Sequence, residues 1–82
     1  MGERIVIDPK IMVGKPVVRG TRITVEAILK LLGKGTTVKE ILEDYPQLKK
    51  EDIEAALNYG AHVIANEEVH LLPVKKRAKV SG

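Results

Sequence analysis

The stretch GKPVVRGTRIT, residues 14–24, sets one lysine and two arginines among β-branched residues, two glycines and a proline. Three uses suit such a segment: a loop cradling phosphates, a basic arm lying on nucleic acid, or a plain hairpin leading into a helix. The first fails on chemistry. A Walker-type loop needs Ser or Thr after its lysine to hold magnesium, and a helix starting there to face the phosphates. Pro16 follows Lys15 and the chain stays extended, so no nucleotide is expected to bind.

Catalytic groups are no better placed. Of the eleven carboxylates, most fall between residues 40 and 54, on the outer faces of expected helices where a solvated surface explains them. His62 and His70 are eight residues apart, about 80° around a helix, which is not a metal-ligating pair. The chain has no cysteine, and no Ser/His/Asp or Cys/His constellation. The expectation is a protein that is not an enzyme and carries no metal or cofactor.

What positions the basic residues is a ribbon followed by helices. RIVID (4–8) and PVVRGTRI (16–23) read as two extended pieces, the first closed by Asp8-Pro9 and the second broken at Gly20. Pro16 suits an edge or a strand start. Thr24 is placed to cap a helix from Val25 to about Gly33, with Val25, Ile28, Leu29 and Leu32 on one face. Thr37 and Glu40 form a T-x-x-E capping box for a second helix, stopped by Pro46. A third begins near Lys50, with Leu48 and Ile53 spaced as a hydrophobic staple. Its apolar stripe continues through Ala56, Leu57, Gly60, Val63 and Ile64. Lys49 occupies the cap, where Ser, Thr, Asp or Asn would be better by roughly 1 kcal/mol. The pattern predicts a mainly α, three-helix, helix-turn-helix-like domain over residues 1–70, with an N-terminal β-ribbon. A basic C-terminal tail occupies 71–82.

An 82-residue chain without Phe, Trp or Cys has little with which to build a core. Pairing of two copies is the usual remedy, and a homodimer is expected, with the ribbon able to pair across copies. No apolar run approaches the roughly 20 residues of a membrane span, and no signal-peptide pattern opens the chain, so a cytoplasmic location is expected. Net charge is +3, unevenly spread: residues 1–35 carry +4, residues 36–70 carry −5, and residues 71–82 carry +4. A polyanion should therefore meet the ends.

Two regions compete for that contact. At the start of the third helix, Lys49 and Lys50 could hold phosphates and Asn58 could read an adenine edge, although Glu51 and Glu54 would repel the same polyanion. On or beside the ribbon, Lys10, Lys15, Arg19 and Arg22 form the better basic surface. For Arg22 a second reading stands beside it, an ion pair that fixes the ribbon onto the helices. The tail residues Lys75, Lys76, Arg77 and Lys79 are either a solvated end or a segment for an acidic partner site.

The residues IDP (7–9), GKPVVRGTRI (14–23), LLGKG (31–35), ILEDYPQL (41–48) and DIEAALNY (52–59) resemble the prokaryotic antitoxin-like family catalogued as domain of unknown function 433. The resemblance implies a homeodomain-like three-helix domain and a VapB-type role beside a PIN-like ribonuclease toxin. Such an antitoxin silences the nuclease and binds operator DNA with it. PIN-like nucleases gather carboxylates around a divalent metal, so the basic tail would suit the toxin's active site. Two departures stand out: Lys49 where threonine is common, and IMV (11–13) in place of an Ile-Cys-Gly-like approach to Gly14. A stand-alone helix-turn-helix regulator and a protein-interaction module that never touches DNA are the alternatives.

Overall fold

The computed structural model describes residues 3–68. The ribbon forms as β1 (Ile5–Val6) antiparallel to β2 (Val17–Val18), with Ile5 opposite Val18 and Val6 opposite Val17. Beyond β2 the chain turns at Gly20, whose φ of 80° is left-handed and open to glycine at no steric cost. Thr21 fastens this turn: its hydroxyl donates to the Val18 carbonyl at 2.8 Å and accepts from the Ile23 amide at 2.9 Å. The returning chain then bonds to the other side of β2, with Val18 N–H on Ile23 O and Val25 N–H on Pro16 O, both 2.9 Å. Both edges of β2 are therefore satisfied within the subunit. Pairing with a second copy through this strand, expected from its basic, β-branched sequence, has no free edge to use.

Between the strands lies a turn over Met12–Gly14, closed by Gly14 N–H on Ile11 O (3.0 Å) and Lys15 N–H on Met12 O (3.1 Å). Its three residues all have positive φ, 50°, 58° and 79°. Gly14 takes this freely. Met12 and the β-branched Val13 do not, at roughly 1–2 kcal/mol each.

Three helices follow, α1 (Val25–Gly33), α2 (Val38–Asp44) and α3 (Lys50–Glu68). Thr24 caps α1, its hydroxyl accepting from the Ala27 amide at 2.9 Å, and Gly35 (φ 95°) turns the chain after it. The α2 box is complete: Thr37 Oγ1 accepts from Glu40 N–H at 3.1 Å and Glu40 Oε1 accepts from Thr37 N–H at 2.9 Å. The molecule is thus mainly helical, as the sequence predicts.

Val18, Val25, Ile28, Ile41, Leu48, Ile53 and Ala56 make one buried cluster, so both members of the predicted staple, Leu48 and Ile53, enter the core. Full burial of each Ile or Leu contributes roughly 1.5–3 kcal/mol. Helices α1 and α3 close on one another at Gly60, where a Cβ would lie 2.8 Å from Leu29 Cδ1. The predicted α3 stripe is only partly core. Leu57 and Ile64 remain 45% and 50% exposed, because they flank the line of contact that Ile53, Ala56 and Gly60 occupy.

Candidate nucleic-acid interface

The first turn of α3 and the ribbon meet through a carboxylate. Lys49 has no side chain fit to cap the helix, and Asp52, three residues on, reaches back instead: its Oδ2 accepts from the Lys49 amide at 2.8 Å. Its Oδ1 accepts from Arg4 Nη1 at 2.9 Å. Asp52 is only 6% exposed, so this cation also offsets the cost of burying its charge. Arg4, forty-eight positions away in sequence, thus pins the N-terminal strand to α3. An ion pair between ribbon and helices exists, made by Arg4, and among the described residues Arg22 makes none.

Strand pairing then brings a second guanidinium alongside. Arg19 N–H donates to Arg4 O at 2.7 Å, and Arg19 Nε donates to the Glu3 carbonyl at 2.6 Å. Only Nε is committed, so the Nη groups have no hydrogen-bond partner among the described residues. Glu3, Arg4, Arg19, Gln47, Lys49 and Asp52 line one concavity of about 340 Å³. It holds three cations against two carboxylates, and Asp52 is already neutralised by Arg4. What faces solvent is the guanidinium edge of Arg19 and the ammonium of Lys49 against the single exposed carboxylate of Glu3, a net positive surface suited to a phosphate diester. A second hollow, about 650 Å³, shares Glu3 and Arg4 and adds Asn58, Tyr59 and His62.

The structure therefore brings Arg19 and Lys49 together and sets Asn58 on the adjoining surface. Lys15 belongs elsewhere: its Nζ pairs with Glu26 Oε1 at 3.1 Å. Glu26 also receives Lys30 Nζ at 3.2 Å, and the hydrogen bond from Lys15, reinforced by Lys30, holds its carboxyl below the ordinary carboxylate range. Arg22 is exposed beside an apolar hollow between α1 and α2. Lys50 is exposed and lines neither concavity, as are Glu51 and Glu54. Lys75, Lys76, Arg77 and Lys79 lie outside the described residues, as does His70. Sequence reasoning missed Arg4 and Asp52. An acidic residue three positions after a cap lacking its own acceptor is a readable signal for Asp52, whereas nothing local marks Arg4.

Among the described residues, no group of three or more His, Asp or Glu side chains could hold a metal ion. His62 Nε2 lies instead 3.3 Å from Asn66 Nδ2. No helix among them is long and apolar enough to cross a membrane.

Residues 5–60 match the family described as protein of unknown function (DUF433). An uncharacterised protein of Archaeoglobus fulgidus is 59% identical over 29 residues, 35% of this chain and 81% of that protein. The uncharacterised protein y4eO of Sinorhizobium fredii is 39% identical over 80 residues, and the chain spans only 32% of its length. A crystal structure of a DUF433 member from Anabaena variabilis superposes with a TM-score of 0.73 at 30% identity, covering 84% of this chain and 68% of the other.

Proposed function

The chain belongs to the DUF433 family, and from that premise we propose that it is an antitoxin-like regulatory protein that performs no bond-making chemistry. It binds operator DNA through the ribbon and the start of α3, as a homeodomain-like domain in the cytoplasm. It also binds and silences a PIN-like ribonuclease toxin, which the basic residues Lys75, Lys76, Arg77 and Lys79 engage. The observation that carries the DNA-binding part is the meeting of Arg19 and Lys49 around one concavity, with Arg19 aimed by the Glu3 carbonyl and the nearest buried carboxylate already neutralised. The toxin-binding part is supported by the resemblance to VapB-type antitoxins.

Binding to a duplex taken from upstream of the chain's own reading frame tests this. Affinity falls steeply with salt as phosphate contacts release counterions, and Arg19→Ala lowers the log–log salt slope by about 1. A flat salt response on that duplex overturns the DNA-binding role. It would leave the protein-interaction reading, which the exposed Glu51 and Glu54 on α3 favour.

A further inference from the structure

We propose that the Met12–Gly14 turn and the hollow beside it form a self-complementary surface, through which two copies of this chain pair by inserting Val13 of each into the other. The argument starts from two costs that meet at one residue. Val13 is 93% exposed, so its isopropyl group gains nothing from burial within the subunit. It also holds a φ of 58°, in the left-handed region that β-branched residues avoid, directly after Met12 at 50°. Glycine would remove both costs. Strain of this kind persists where the surrounding structure uses what it displays. Here it displays an apolar knob.

A matching hole lies next to it. Ile23, Ala27, Leu31, Ile41 and Tyr45 line a hollow of about 250 Å³, and Met12 forms one of its edges. Water in liquid occupies about 30 Å³ per molecule, so the hollow has ample room for an isopropyl group. The knob and the hole thus share Met12 and lie on one patch. A two-fold interface requires that arrangement, because the same patch must serve as both donor and receiver. A second copy supplies at once a knob for this hole and a hole for this knob. The segment that carries the knob holds Asp8, whose carboxylate accepts the Lys10 amide at 2.9 Å, and the exposed Lys10, so its charges are mixed and the fit to the Arg22-lined hollow is an apolar one. The surface leaves β2 untouched, so it provides the pairing that the occupied edges of that strand deny. It is independent of DNA binding.

Sedimentation of the full chain over about 1 to 100 micromolar tests the proposal, with three variants. Val13→Gly removes the knob and the strain together. It should weaken dimerisation about tenfold or more, while the dilute subunit unfolds at a higher temperature than the parent. Val13→Asp and Ala27→Arg should each leave monomers, the first by placing a charge on the knob and the second by filling the hole from an exposed position on α1. Mixing these last two should restore a heterodimer, since one contact is then intact and the other seats a carboxylate against a guanidinium. A parent chain that stays monomeric at 100 micromolar overturns the proposal. So does a dimer whose dissociation constant is unchanged by Val13→Gly or Val13→Asp, or a mixture that stays monomeric.

Discussion

The cationic concavity and the apolar hollow are served by the same ribbon yet settle their local conflicts in opposite ways. In the concavity the one buried charge has its answer inside the subunit, and the groups left free are exposed cations. The buried carboxylate of Asp52 has Arg4 and the Lys49 amide, and the Arg19 guanidinium is held by the Glu3 carbonyl. Around the hollow, Val13 is both strained and uncovered. A surface whose free groups are solvated cations suits contacts that form and break with ionic conditions, whereas an uncovered apolar one suits a lasting partner.

The sharpest way to separate the two regions is charge reversal. Arg19→Glu with Lys49→Glu should lower affinity for the upstream duplex about 100-fold or more at 100 mM salt, and leave sedimentation unchanged. A change in oligomeric state would break the distinction. Next in size is Asp52→Ala, which removes the cap of α3 and orphans Arg4. Arg4 is 44% exposed, so water screens much of the pair and the expected loss is about 2 kcal/mol. That is a fall of about 10 °C in Tm for a chain this small. Thr37→Ala acts on the other region, since α2 supplies Ile41 to the hollow. It should cost about 1 kcal/mol in thermal unfolding.

The smallest effect concerns Glu26. Its folded pKa lies below the ordinary 4.5, so its pairs with Lys15 and Lys30 stabilise the fold above that value and are lost as pH falls through the folded pKa. An NMR titration of the Glu26 side chain should give a midpoint under 4.5, and Lys15→Ala should move it back up.

Local chemistry made much of this legible in advance. Thr24, Thr37 and Glu40 act within three residues of their partners, and the structure finds them capping as their spacing predicts. The staple of Leu48 and Ile53 is equally local. Asp52 was half legible, as an acidic first-turn residue near a poor cap, but its reach to Arg4 spans too much chain for any spacing rule. Lys15 reads as part of the basic arm and is instead drawn to Glu26, eleven residues on and brought near only when the ribbon folds against α1. Leu57 and Ile64 follow helical periodicity, yet α1 crosses too narrow a band of α3 to cover them. The left-handed turn at Val13 runs against what a β-branched residue predicts.

The Arg4–Asp52 link also sets an order of events during synthesis. The arginine is made forty-eight residues before its acceptor, about 2–10 s earlier at 5–20 residues per second. In that interval the hairpin can close on itself and against α1, but Arg4 has no α3 carboxylate to hold it. Fragments that end before α3 therefore leave the Arg4 guanidinium without Asp52, and the first turn of α3 is the earliest point at which the leading strand can be tied to the last helix.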